Sequence, residues 1–271
     1  MLNKFPLKFW IGVFMTSIFV LAGLLSVIYV PFDTSLIDIA GRFQPPSYPH
    51  LFGTDHLGRD VFSMIMSGAR TSIVVALFAV GIGMGIGVPL GLLAAAKSGW
   101  VEDIVMRGND IIFAFPAILL AILIAAIMGP GAFNIIIAVG VFNIPVFAQL
   151  TRGAARSLWQ REFVLSARMI GKGPLRISLE HIFPNLVNLI VVQATIQFSL
   201  AIAAEAALSY IGLGTQPPAP SWGRMLSESQ TMFAWAPWLS VFPGFAILLS
   251  VLGLTLMGDG LREALDPKSR P

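Results

Sequence analysis

The chain has 271 residues, of which 56% are hydrophobic and only 11% charged, with 26 glycines and no cysteine, whereas a soluble domain carries roughly 25% charged residues. A mean hydropathy of +0.82 excludes a water-soluble globule, and the lack of cysteine excludes disulfides, thiolate metal sites and a cysteine nucleophile. The net charge of +3 resembles a nucleic-acid signature, but the cations are sorted along the chain by membrane side rather than gathered into a groove; the expected partner is a lipid bilayer and not nucleic acid.

After Lys4 and Lys8, residues 9–30 form an apolar run too long for a signal-peptide core and without a clear small-residue cleavage site, so they predict an uncleaved first membrane span. Residues 31–68 are polar and proline-rich and carry Asp33, Asp38, Asp55, Arg59 and Asp60, which predicts a loop outside the hydrocarbon. A second span is expected over about 71–96, where Gly81, Gly83, Gly85, Gly87 and Gly91 let helices approach closely, most simply those of a paired membrane subunit. Residues 97–110 read as a short charged connection. The third span, about 111–128, stops at Gly129-Pro130-Gly131, and the fourth follows over about 133–150. The fifth is expected at about 186–211 and the sixth at about 239–257, separated by a loop with Trp222, Trp235 and Trp238, whose amphipathic rings suit interfacial anchors.

Residues 151–184, between the fourth and fifth spans, hold Arg152, Arg156, Arg161, Arg168, Lys172 and Arg176. Placing the N-terminus in the cytoplasm puts these with Lys4, Lys8, Lys97, Arg107, Arg262, Lys268 and Arg270, thirteen cations in all, on the cytoplasmic side. Only Arg42, Arg59, Arg70 and Arg224 then lie outside. The asymmetry obeys the positive-inside rule, and both termini are expected in the cytoplasm. The fold expected is an all-α membrane protein of six transmembrane helices. Two parts are distinguished: residues 1–68, the first transmembrane helix and extracytoplasmic loop, and residues 69–271, a five-helix core with the cytoplasmic loop 151–184.

Enzyme chemistry is not evident. His50, His56 and His181 have no H-E-x-x-H spacing, and neither a phosphate-cradling G-x-x-x-x-G-K loop nor a G-x-S-x-G nucleophile elbow occurs. No catalytic residue, metal site or bound cofactor is assigned to the chain, so energy for uphill transport must come from a partner or an ion gradient. The strongest local signal is 161–170, which fits about three helical turns ended by Gly171, Gly173 and Pro174. Phe163, Ala167 and Ile170 fall on one apolar face opposite a charged one, as in an amphipathic connector or a helix lying between membrane and soluble partner.

Residues 165–184 resemble the E-A-A-x-x-x-G-x(9)-I-x-L-P loop of ATP-binding-cassette importer permeases, with Ala167, Gly171 and Pro184 on motif positions. Stretches 52–60, 205–214, 217–223 and 257–262 resemble the dipeptide, oligopeptide and nickel branch of that family, and together with the loop they cover almost the whole chain in order. Two positions depart from the loop motif: Leu165 stands at its glutamate and Ser166 at the following alanine, leaving Glu162 or the nearby arginines to supply an ion pair. The resemblance implies a type I importer permease in a bacterial inner membrane. Its implied partners are a second homologous permease, two cytoplasmic ATPases carrying ATP and Mg, and an extracytoplasmic substrate-binding protein. It also implies that Arg161, Glu162, Phe163, Leu165, Ser166, Ala167, Arg168, Ile170, Gly171 and Pro184 belong to the segment that couples to an ATPase. The substrate is a di- or oligopeptide or, alternatively, nickel or a nickel chelate.

Other candidates carry two readings each. Asn143, Gln149, Gln193 and Gln197 line a polar path or bond between helices, and Glu205, late in the fifth span, either lines the path or bonds a loop near the outer end. Asp55, His56, Arg59 and Asp60 form an ion-paired turn or a metal or substrate cluster. Two rivals from other classes are an ion-coupled secondary transporter, which calls for midplane acids and an inverted repeat, and a membrane enzyme.

Overall fold

The structure, a computed structural model, describes residues 5–265; Lys4, Lys268 and Arg270 of the inside cations lie outside the described residues. Regular structure among them is helical apart from one isolated bridge between Thr54 and Asp60. That is the arrangement a hydrocarbon solvent demands, because a helix satisfies its backbone polar groups internally.

The first helix, α1 (Leu7–Ile28), buries Gly12, Thr16, Phe19 and Gly23, one stripe at helical spacing, and leaves its remaining leucines and isoleucines outward. Helix α2 (Val61–Ala96) has 36 residues, about 54 Å at the helical rise, against roughly 30 Å of hydrocarbon. It starts ten residues before the expected position. The polar residues there, Ser63, Ser67, Arg70, Thr71 and Ser72, depress hydropathy without opposing helix, and Asp60 caps the start: its Oδ2 accepts from the Ser63 N–H and the Ser63 hydroxyl, both at 2.7 Å.

Residues 97–110 are not a connection. They fold as α3 (Trp100–Phe113), with Glu102 and Asp103 in its first turn, where acids favour a helix. Helix α4 (Ala117–Met128) follows Pro116 and is bent 81° from α3. Helix α5 (Ala132–Leu158) runs eight residues past the expected end of its span. The presumed loop 151–184 is therefore largely helical: after α5 come α6 (Glu162–Met169), a short α7 (Pro174–Ile177) and a π turn over Ser178–Ile182 that leads into α8 (Phe183–Tyr210). A short helix, α9 (Trp222–Ser229), lies in the last loop, and α10 (Trp238–Leu265) closes the described chain. Five helical segments are long and apolar enough to cross a bilayer, and α3 with α4 passes as a bent pair, giving six when the pair is one span.

Helices α2 and α5 form the spine. A Cβ added at Gly83 would collide with Asn143, one at Gly87 with the Ile144 carbonyl, and one at Gly91 with the Ala148 carbonyl; the two backbones meet there because nothing larger than hydrogen lies between them. These three glycines thus serve packing within the chain rather than against a paired subunit, while Gly81 and Gly85 face open space. Gly12, Gly253 and Gly260 do the same for α1 against α10. Lys8 pairs with Glu263 at 2.5 Å, so the start of α1 and the end of α10 share one end of the bundle.

Filling the α2–α5 seam should be costly. Gly87→Leu is expected to destabilise by about 3 kcal/mol through overpacking against backbone, whereas Gly81→Ala should be neutral or stabilise by about 0.5–1 kcal/mol. Thermal unfolding in detergent distinguishes them; equal midpoints for both variants would show that the seam does not set stability.

Candidate functional site

At the end of the bundle shared by Lys8 and Glu263 the chain leaves α5 at Trp159 and makes α6. Val164 and Ala167 turn inward and join Ala155, Trp159 and Ile177 in the core. The apolar face expected from Phe163, Ala167 and Ile170 is rotated in the fold: only Ala167 is buried, while Phe163 is 44% and Ile170 80% exposed. Helical spacing admits more than one stripe through these residues, and the buried one runs through Val164 and Ala167, three residues apart, in the same core cluster as Ile177 of α7. Leu165 and Met169 are also exposed, Met169 at 89%. Arg161 and Glu162 are exposed at the helix start, and Ser166 is exposed on its outer side.

The helix ends in a Schellman turn: the Gly171 N–H donates to the Arg168 carbonyl at 2.9 Å and the Lys172 N–H to the Ala167 carbonyl at 3.2 Å. Gly171 has φ +82° with open space around it, so glycine is required there by backbone conformation alone. The Arg168 guanidinium stacks 4.7 Å from the Trp159 ring centre. Glu102 of α3 receives Arg152 and Arg156 of α5, and Glu180 receives Lys172 at 2.7 Å. Pro184 occupies the first turn of α8, where its missing N–H has no helical partner to lose.

At the opposite end a carboxylate organises the loops. Glu205 of α8 is fully buried; its Oε2 accepts from the Ser72 hydroxyl of α2 at 2.9 Å, and its Oε1 from the Ser209 and Ser221 hydroxyls at 2.8 Å each. One side chain thereby joins α2, α8 and the loop entering α9. Trp222 beside it is 2% exposed, lies over Gly68 and donates its indole N–H to the Ile65 carbonyl at 3.0 Å. It is a core residue and not the interfacial anchor its type suggested. Trp235 is 65% exposed, and Trp238 reaches the Thr54 carbonyl at 3.3 Å.

The outer loop is ion-paired. Asp55 takes Arg59 Nε at 2.7 Å, Arg59 reaches Glu228 at 3.5 Å, and Glu228 holds Arg224 at 2.7 Å. Asp60, besides capping α2, meets His50 Nδ1 at 3.0 Å. No group of three or more histidine, aspartate or glutamate side chains among the described residues has metal-binding spacing.

The remaining path candidates do not converge. Asn143 is buried in the α2–α5 seam with its Nδ2 lacking a partner, Gln149 is exposed on α5, and Gln197 is buried in α8. Gln193 lines a cavity of about 480 Å³ with Asn185, Asn188 and Arg262 at the α6 end. A second cavity, about 550 Å³, opens at the loop end between the start of α2, the start of α5 and residues 215–220. Near it, the Ser35 hydroxyl and then the Ser35 N–H hold the Asp33 carboxyl below the usual carboxylate range. Sequence reasoning did not single out Ser72, Ser209 or Ser221; only the spacing of Ser209 four residues after Glu205 was visible as a signal.

Residues 87–271 match the family described as binding-protein-dependent transport system inner membrane component. The chain belongs to this family. It is 43% identical to the dipeptide transport system permease protein DppC of Alkalihalophilus pseudofirmus, over 96% of this chain and 86% of that protein. It is 43% identical to the glutathione transport system permease protein GsiD of Pectobacterium atrosepticum, over 96% and 90%. A solved inward-facing structure of the methionine ABC transporter MetNI superposes with a TM-score of 0.61 at 19% identity, over 75% of this chain and 97% of that one, and gives the fold as that of type I importer permeases. The protein is a permease subunit of a binding-protein-dependent ABC importer and a multi-pass inner-membrane protein. ATP hydrolysis resides on a separate subunit, so the ion-coupled and enzymatic alternatives are set aside.

In the permease, Glu205→Ala is expected to lower stability by about 2–3 kcal/mol, since three buried hydroxyls lose their acceptor. Glu205→Gln, which still accepts through its amide oxygen, should lose less. Detergent unfolding midpoints in the order wild type, Gln, Ala are expected; a Glu205→Ala midpoint equal to wild type would remove the carboxylate from the architecture.

Proposed function

We propose that this permease forms the translocation path for short peptides together with a second homologous permease, and that α6 is the helix through which ATPases drive it. The observation that supports the coupling role most directly is the exposure of Phe163, Leu165, Met169 and Ile170 on a helix surrounded by cations. Four large apolar side chains on one short helix at a charged, water-facing end call for a covering protein surface. With Leu165 at the motif glutamate, the contact is read as chiefly apolar, and the exposed Glu162 and Arg161 are left to supply charge at its edge. Arg168 is held over Trp159 and Ala167 in the core, so both act by fixing α6 on α5.

On this reading the α6 end, with both chain ends, faces the cytoplasm; two ATPases bind there with ATP and Mg, and a binding protein delivers cargo to the loop end. The dipeptide and glutathione relatives favour peptide over nickel as cargo. Gln193 and the cavity around it then belong to the inner mouth of the path.

Two measurements test the proposal. The chain has no cysteine, so single substitutions Ser166→Cys and Ser35→Cys can be labelled in intact cells with a membrane-impermeant maleimide. Labelling only at Ser35→Cys is expected, and labelling at Ser166→Cys from outside would overturn the orientation. In proteoliposomes carrying the whole importer and loaded binding protein, uptake of radiolabelled dialanine is expected, and Met169→Asp should cut it by roughly tenfold or more by placing a charge in a desolvated contact. Absence of dialanine and glutathione uptake by the wild type would sink the peptide reading; undiminished uptake in Met169→Asp would sink the docking reading.

A further inference from the structure

The loop-end cavity of about 550 Å³ falls in the size range of small-ligand pockets, roughly 300–1,000 Å³, and holds two polar groups that the fold itself leaves unused. Arg70, on its wall, is exposed and has no carboxylate within salt-bridge distance among the described residues, whereas Arg59 and Arg224 at the same end are paired with Asp55 and Glu228. Thr215, on the facing loop, is 5% exposed, and its Oγ1 has no hydrogen-bond partner. A buried hydroxyl without a partner carries a desolvation cost of about 1–3 kcal/mol. The neighbouring Thr71 hydroxyl is, by contrast, already committed to the Pro220 carbonyl at 3.1 Å. That bond ties Pro220 to α2, and Thr215 and Arg70 both line the cavity beside it.

We propose that this cavity is a subsite for the terminal carboxylate of the peptide cargo, with the Arg70 guanidinium and the Thr215 hydroxyl as its donors. The inference rests on the reading of short peptides as cargo. Every linear peptide with a free C-terminus presents a planar carboxylate whatever its side chains, and a guanidinium matches it with two parallel N–H donors. A site that reads this group and leaves the side chains alone suits an importer of varied short peptides. Ser35, which also lines the cavity, commits its hydroxyl to Asp33 at 2.6 Å, so it is not a free donor for the carboxylate.

The test uses the whole reconstituted importer with loaded binding protein and radiolabelled dialanine. Arg70→Gln is expected to lower maximal uptake by roughly tenfold or more, with basal ATP hydrolysis, complex assembly and the half-saturating concentration of binding protein unchanged; Arg70→Lys should retain more uptake than Gln. Thr215→Val should lower uptake without lowering the unfolding midpoint, because the hydroxyl it removes bonds to nothing in the fold. Unchanged uptake in Arg70→Gln would overturn the subsite. A defect that appears only as weaker binding-protein docking, or as loss of the complex, would overturn it in favour of a protein contact. Wild type that imports dialanine while Arg70→Gln imports it equally well defeats the subsite alone; wild type that imports no peptide defeats the peptide reading with it.

Discussion

Between α2 and α5 the two helices approach closely enough at Gly83, Gly87 and Gly91 that a single added Cβ would collide with the facing chain, and the packing of the bundle's centre depends on that approach. Lipid is as apolar as leucine, so burying aliphatic surface gives helices in a bilayer little reason to associate; close backbone contact and dispersion must do it instead. The i, i+4 spacing of these glycines puts them on one stripe, and Asn143, Ile144 and Ala148 of α5 fill it. The same device seats α1 on α10 through Gly12, Gly253 and Gly260.

The seam leaves the ends of the bundle to polar chemistry. At the loop end Glu205 is enclosed with three hydroxyl donors and, among the described residues, no salt-bridged cation, so its side chain is held by oriented dipoles from three separate segments. Losing any one of them exposes the carboxylate to a poorer environment, which makes the junction of α2, α8 and the α9 loop cooperative. At the other end the ties are ion pairs in reach of water, Glu102 with Arg152 and Arg156 and Glu180 with Lys172, each of small individual strength.

Five of the six spans were legible in the sequence because twenty-residue hydropathy averages report transfer from water to lipid, whereas the third, expected as one helix over about 111–128, is broken by an 81° bend between α3 and α4. Averages fail where a helix is amphipathic. Helix α3 carries Glu102, Asp103, Arg107 and Asp110 and read as a loop, and the first ten residues of α2 were lost for the same reason. Which stripe of α6 faces inward was also illegible, since Phe163, Val164, Ala167 and Ile170 are all apolar and the choice of Val164 with Ala167 depends on tertiary packing in the core shared with Ala155, Trp159 and Ile177. Trp222 shows the limit of arguing from residue type: an indole suits an interface, but here Gly68 leaves a slot for the ring and Ile65 an acceptor for its N–H. The bonds of Glu205 needed three dimensions because Ser72 lies 133 residues away.

The attachment of α6 and the α2–α5 seam bear on how a push on α6 would travel. Helix α6 hangs from α5 by three residues and from α7 by four, and Val164, Ala167 and the Arg168–Trp159 stack fasten it to the end of α5. A displacement of α6 is thus applied to α5 directly, and α5 cannot slide on α2 without lifting its backbone over Gly83, Gly87 and Gly91. Close-packed contacts of that kind switch between discrete arrangements rather than deform continuously, and Glu205 ties the far end of α8 to α2 through Ser72. Helical bonding is interrupted at Pro89 inside α2 and Pro145 inside α5, at the π turn over Ser178–Ile182, where the buried Ser178 hydroxyl has no partner, and at the 81° break between α3 and α4, and these are the places where bending costs least. If α6 is pushed as proposed, the glycine-packed seam of α5 on α2 is the contact through which the displacement would reach the loop end, where the cavity beside Arg70 opens.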